Sequence, residues 1–119
     1  MLERAEILQK LVLFDEPVDP LVSALRQYPW DWIEEEPLVR ITALQILNVI
    51  DRFLSVKISA QQLEDWAENL ECREDVGFDE KHEVVLGDVL FRMANPLLNE
   101  PLNGPVVAEM RTRIQAALN

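Results

Sequence analysis

The sequence predicts an all-α protein, a single-domain bundle of about five to six helices around a central hydrophobic helix at residues 37–56. Three observations predict this fold. Residues 37–56 form the longest run with helical apolar spacing, and their apolar side chains fill about half of a helical wheel. Amphipathic segments lie on both sides of this run. Only 3 of the 119 residues are glycine, which disfavours a turn-rich β architecture. A chain of this length is expected to form one domain, residues 1–119.

Two shorter helices are predicted ahead of the central helix. In residues 2–14, apolar side chains recur at helical spacing with charged residues between them. Asp19 followed by Pro20 is typical of an N-cap with proline at the first helical position, so a second helix is expected from there to about Tyr28. Pro29 ends it, because the residue before a proline avoids the helical conformation.

The connector at residues 29–36 joins two tryptophans, Trp30 and Trp32, to four carboxylates. One interpretation is structural. The rings would cover the open end of the bundle, and the acids would lie near the positive dipole end of the central helix. The other interpretation is a protein contact, since exposed aromatic side chains often dominate binding energy. The sequence leaves both open.

The segment after the central helix carries a strong helix-start signal. Ser59 and Gln62 form a capping box, in which each side chain accepts a hydrogen bond from the backbone N–H of the other residue. We expect a helix over residues 60–73 with Trp66 on its buried face and carboxylates on its outer face.

The remainder of the chain is predicted to contain two more helices. Gly77 is expected to supply a positive φ angle in a loop over residues 74–80. A helix then follows over residues 80–94, and a last one begins at Pro105. Between them, three prolines within residues 96–105 exclude a regular helix, and we expect the leucines there to pack against the core.

Negative charge is the strongest compositional feature, with 22 acidic and 11 basic residues and a net charge of −11. Ten of the acids lie in residues 64–88 and four in residues 31–36, whereas the rest of the chain is close to neutral. Nucleic acids and anionic membranes are bound through Lys and Arg, so we expect neither as a partner. A basic protein is the natural complement, although a charged face can also serve solubility alone.

The sequence contains no catalytic or cofactor motif, and we expect no enzymatic activity, cofactor, metal or small-molecule substrate. Cys72 is the single cysteine, which excludes an intramolecular disulfide, and we expect it to be a semi-buried filler. His82 is the single histidine, and no motif places a Ser or Cys nucleophile beside it. No apolar run is long enough to span a membrane, so a cytoplasmic protein is expected.

The C-terminal half resembles a known pattern. Residues 58–80 read ISAQQLEDWAENLECREDVGFDE, and LFRMANP and LNGP follow at residues 90–96 and 102–105. The most specific part is S-x-x-Q-L-E-D-W-A followed by R-E-D-V-G-F. Together they resemble small helical bacterial proteins, some of them similar to immunity proteins encoded beside toxin domains. The resemblance implies a toxin-neutralising role and identifies no binding residues.

We therefore predict an immunity-type protein that neutralises a basic toxin domain, such as a nuclease, by occluding it with an acidic surface. The expected partner-binding residues are Glu68, Glu71, Glu74, Asp75, Asp79, Glu80, Trp30, Trp32 and Phe78. Reversing Glu71, Glu74 and Asp75 to lysine is expected to leave the melting temperature nearly unchanged. Two alternatives stay open. One is a structural or adaptor protein that binds through the Trp30/Trp32 loop, and the other is a nucleic-acid mimic.

Overall fold

A computed structural model describes residues 3–29, 32 and 34–119 and confirms the predicted all-α class. Within these residues the chain order is α1 (Arg4–Leu13), α2 (Val18–Leu25), β1 (Val39–Ile41), α3 (Ala43–Leu54), α4 (Ala60–Glu71), β2 (Val76–Phe78), a 3-10 helix (Glu80–His82), α5 (Glu83–Ala94) and α6 (Gly104–Leu118). None of the helices in this part of the chain has the length and apolar character needed to cross a membrane.

The central helix is shorter than its apolar pattern predicts. The Thr42 side chain accepts a hydrogen bond from Gln45 N, and the Gln45 side chain accepts one from Thr42 N, so this capping box starts α3 at Ala43. The predicted start at residue 37 is wrong, because the three residues before Thr42 form a strand. The helix ends at Leu54, two residues before Val56 adopts a φ of 62°.

The two strands form a parallel pair in which Arg40 lies opposite Gly77. The predicted loop over residues 74–80 is therefore wrong at its centre, and no described glycine has a positive φ. Gly77 is needed for a different reason. A Cβ at this position would lie 2.8 Å from Cγ of Pro37, which is closer than packed carbon atoms approach.

The core is one apolar cluster to which every α-helix contributes. Its largest fully buried side chain is Trp66, as the helical pattern predicts. The indole Nε1 donates a hydrogen bond of 2.7 Å to Leu11 O, and the ring stacks on Phe14 with centroids 6.1 Å apart. Trp66 thus ties α4 to the end of α1. The capping box of Ser59 and Gln62 that starts α4 is also confirmed.

The proline-rich segment between α5 and α6 differs from expectation. Leu97 and Leu98 are fully or largely exposed, and of the leucines in this segment Leu102 alone is buried. The physical reason is a turn directly after α5, in which Leu98 N donates to Asn95 O and carries both leucines outward. Leu102 is held inward because Asn103 caps α6 by accepting a hydrogen bond from Val106 N.

Candidate functional site

The pairing of β1 with β2 brings the two acid-rich parts of the sequence to one place. An open groove of about 640 Å³ lies over the strand pair. Its carboxylates come from the connector before β1, from both sides of β2 and from the first turn of α5. We call this surface the acidic groove, defined by Glu35, Glu36, Glu74, Glu80 and Glu83.

Arg40 is the one basic residue that lines the acidic groove among the described residues. Its Nη2 is 2.5 Å from Glu36 Oε2 and 3.5 Å from Glu80 Oε1, and its Nη1 donates to Phe78 O at 3.1 Å. The hydrogen bond to Glu36, together with the charges of Glu36, Glu80 and Glu83, raises the pKa of Arg40 although partial burial opposes this. In the described part of the chain, the groove therefore contains five carboxylates, of which Glu36 and Glu80 contact the Arg40 guanidinium, and it keeps an excess of negative charge.

Asp75 does not lie on this surface. Only 1% of its side chain is exposed, and its carboxylate is held by Arg4 Nε at 2.8 Å and Arg73 Nε at 2.9 Å. Arg73 Nη2 adds a second bond at 3.0 Å, so this pair is bidentate. A buried carboxylate with these partners cannot contact another protein, which corrects its expected role. The charge reversal of Glu71, Glu74 and Asp75 is accordingly expected to destabilise the fold.

Asp75 and its two partners, Arg4 and Arg73, which we call the Asp75 cluster, predict a specific pH dependence of stability. Burial raises the pKa of the Asp75 carboxyl, but hydrogen bonds from Arg73 and Arg4 and their charges outweigh burial and lower this pKa below its ordinary value. A carboxyl with a lowered pKa stabilises the fold above its unfolded-state pKa of about 3.9, and this contribution disappears as the pH falls through the folded-state pKa.

We therefore expect the free energy of unfolding of the wild type to exceed that of Asp75→Asn by a constant amount above about pH 5, and by less and less below about pH 4. Urea denaturation of both proteins across this range measures the difference. The same measurement on Glu74→Gln, which removes a neighbouring exposed carboxylate, is the control. An equal gap between wild type and Asp75→Asn at neutral and acidic pH would contradict the assignment.

The other predicted carboxylates are divided between several places. Glu74 and Glu80 are both exposed and both line the acidic groove. Glu68 is exposed but lines a separate cavity between α2 and α4. Asp79 is half-buried, and its Oδ1 accepts a hydrogen bond of 3.2 Å from Lys81 N at the start of the 3-10 helix. Glu71 is half-buried at the end of α4 and does not line the groove.

The predicted aromatic anchors have structural contacts. Phe78 is half-buried, packs against the core and lines the groove. Trp32 is also half-buried, and its Nε1 donates to Glu36 O at 2.8 Å while the Arg4 guanidinium lies 5.0 Å from the ring centroid. These contacts favour the structural interpretation of the connector for Trp32. Trp30 lies outside the described residues.

Four charged residues of the groove are missing from the sequence-based set, namely Glu35, Glu36, Glu83 and Arg40. The sequence signal that would place these four residues on one surface, the strand pattern of β1, is weak. Val39, Arg40 and Ile41 alternate between buried, half-buried and buried, as a strand does, but three residues are too few to separate this period from a helical one. Only the position of β1 beside β2 shows that the connector and the loop around β2 form one surface.

Cys72 and His82, the single cysteine and the single histidine, both lie outside the acidic groove. Cys72 is exposed rather than semi-buried, and its Sγ lies 2.8 Å from Glu71 Oε2. This hydrogen bond, followed by partial burial and the charges of Glu71 and Glu68, raises the pKa of the thiol, so less of the reactive thiolate forms at neutral pH. The His82 ring is largely buried, with Nδ1 3.9 Å from Asp79 Oδ2. In the described ranges, no three His, Cys, Asp or Glu side chains are grouped to hold a metal ion.

No protein-family model matches this chain, and comparisons with curated proteins and with solved structures found no match. The resemblance to immunity proteins therefore stays a prediction. The geometry and charge of the acidic groove are the basis for the functional proposal that follows.

Proposed function

We propose that this chain is a binding protein, without catalytic activity, whose acidic groove contacts a basic protein partner. The observation that carries the proposal is the convergence of carboxylates from both acid-rich segments on one concave surface. A toxin domain is the partner class we propose, because the phosphate-binding surface of a nuclease is basic and an acidic protein seated on it blocks its substrate.

Electrostatics supports a binding role for this groove. Carboxylates gathered on one surface repel one another, which costs stability. Solubility does not require such a cluster, because the same number of charges spread evenly over the surface would keep the protein soluble. A concentrated negative field does raise the association rate with a positive partner. Among the residues that the structure describes, the groove has five carboxylates and one guanidinium, that of Arg40, so its field favours cations.

The groove is also attached to rigid parts of the fold. Val39 and Ile41, the first and last residues of β1, are buried, and Leu38 N donates a hydrogen bond of 2.8 Å to Asp75 O. Asp75 is itself fixed by its two arginines and directly follows Glu74. A site whose supporting residues are already ordered loses less conformational entropy on binding. This suits occlusion of a partner by a stiff surface.

Charge reversal in the groove tests the proposal. We expect Glu74, Glu80 and Glu83 changed together to lysine to lower the association rate with a basic nuclease domain by at least about tenfold at low salt. The matched control changes Asp15, Asp19 and Glu68, which are exposed and lie outside the groove, to lysine.

The measurement is stopped-flow or surface-plasmon binding to a panel of basic nuclease domains at low and physiological ionic strength, with an acidic domain as negative control. Binding to at least one basic domain that weakens with salt and with the groove variant supports the proposal. Equal weakening by the groove and control variants would remove the groove as the contact surface. No binding to any basic domain would remove the toxin-neutralising role.

The proposed adaptor function of the Trp30/Trp32 loop has less support. The Trp32 indole N–H and one ring face are already used inside the protein, by Glu36 O and Arg4. An aromatic contact would respond little to salt, so the same measurements distinguish it. A DNA-binding domain included in the panel tests the nucleic-acid mimic.

A further inference from the structure

The outer edge of β2 runs along the acidic groove. Asp79 N donates a hydrogen bond of 2.9 Å to Ile41 O, which orients the backbone of Asp79 toward β1. Backbone groups alternate along a strand, so Gly77 also faces β1 while Val76 and Phe78 direct their N–H and C=O groups away from it. All three β2 residues line the groove, where Gly77 and Phe78 are half-buried and Val76 is 9% exposed.

The edge is largely without strand partners. Among the described residues, neither Val76 N nor Phe78 N donates to a backbone carbonyl outside the strand pair. Phe78 O accepts a hydrogen bond of 3.1 Å from Arg40 Nη1. An edge with open donors and acceptors is a template for a further strand unless something blocks it.

Arg40 is the group that occupies the edge. It belongs to β1, and its side chain crosses β2 beside Gly77 to reach Phe78 O on the far side. Its guanidinium is held there by Glu36 and Glu80. The edge carbonyl and the groove carboxylates therefore form one site with the geometry and charge that a basic side chain requires.

We infer that β2 accepts an extended segment of the basic partner as a third strand along its outer edge, with Lys or Arg side chains at alternate positions directed to the groove carboxylates. The inference rests on the proposed function and adds the mode of recognition. Charge complementarity selects the occupant, because five carboxylates flank the edge and Arg40 is the one cation there in the described chain. In strand addition, main-chain hydrogen bonds supply affinity and alternate side chains, about 7 Å apart, supply specificity.

Amide exchange tests this inference directly. The probe is a synthetic peptide of alternating Lys and Val, and the control peptide replaces each Val by Pro, which keeps the charge and removes the backbone N–H of every second residue. At low salt we expect the Lys-Val peptide to slow hydrogen exchange of the Val76 and Phe78 amides at least about tenfold. The Lys-Pro peptide is expected to leave both rates within about twofold.

A matched pair of variants tests the role of Arg40. Arg40→Gln vacates Phe78 O and frees Glu36 and Glu80, so we expect it to tighten Lys-Val peptide binding by at least about threefold. Arg111→Gln removes the same charge from a surface ion pair with Asp51, outside the groove, and is expected to change binding by less than about twofold.

The outcomes separate the two proposals. Binding of the Lys-Val peptide without slowed exchange at Val76 and Phe78 overturns strand addition and leaves the acidic groove as a contact surface. Equal effects of Arg40→Gln and Arg111→Gln overturn the role of Arg40 as occupant of the edge. Absence of peptide binding to the wild type at low salt, with basic protein domains still bound, overturns strand addition alone. Absence of both overturns both proposals.

Discussion

Asp75→Asn is expected to destabilise this protein by about 3 kcal/mol or more, because it leaves two largely buried guanidinium groups without their anion. Arg4 and Arg73 are only 10% and 16% exposed, and both donate to this carboxylate. Asparagine has nearly the same shape, so the loss measures charge and hydrogen bonding rather than packing. For a domain of this size, the melting temperature should fall by more than about 10 °C.

The position of Asp75 gives this destabilisation a functional consequence. Its backbone carbonyl accepts the hydrogen bond from Leu38 N that leads into β1, and Val76 directly after it begins β2. Loss of the Asp75 cluster should therefore lower the local stability of the acidic groove as well as the stability of the whole fold. We expect hydrogen exchange in β1 and β2 to accelerate more than exchange in α6.

Thermal and urea unfolding of wild type, Asp75→Asn and Glu74→Gln measure the effect. Glu74 is exposed and accepts a hydrogen bond of 3.3 Å from Trp32 N, so its variant should lose less than about 1 kcal/mol. If Asp75→Asn and Glu74→Gln were equally stable, the Asp75 cluster would not stabilise the acidic groove.

Trp66→Ala is expected to cost about 3–5 kcal/mol, the largest effect of any single core change we expect. The side chain is completely buried and is the largest in the core. Its removal leaves a cavity between α1 and α4 and deprives Leu11 O of its hydrogen bond from Nε1. The stacked ring of Phe14 loses its partner too.

Two further variants separate the contributions. Trp66→Phe keeps most of the apolar volume and loses the hydrogen bond, and we expect a cost of about 1–3 kcal/mol. Leu44→Ala removes a side chain that is 73% exposed and should cost less than about 1 kcal/mol. Urea titrations give all three values. A Trp66→Ala protein as stable as Leu44→Ala would show that this contact between α1 and α4 does not stabilise the core.

The helices and the acidic character follow from short-range features of the sequence. Ser59 and Gln62 predict the start of α4, and the apolar stripe of that helix predicts the burial of Trp66, because caps and helical periodicity act between residues a few positions apart. Two local signals in the central helix nevertheless predict different helix starts. The apolar run from residue 37 suits a helix, but the capping box at Thr42 starts the helix later.

The sequence by itself determined that this protein is helical, has a single apolar core and carries concentrated negative charge. Only the tertiary structure decided which charges act together. Arg4 lies 71 residues from the carboxylate it neutralises, and Arg40 lies 38 residues from the strand edge it covers. Such pairings depend on how β1 and β2 meet, and strands of three residues carry too little periodicity to predict it. Burial therefore removed Asp75 from the acidic surface, and strand pairing placed Glu36 and Glu83 on it.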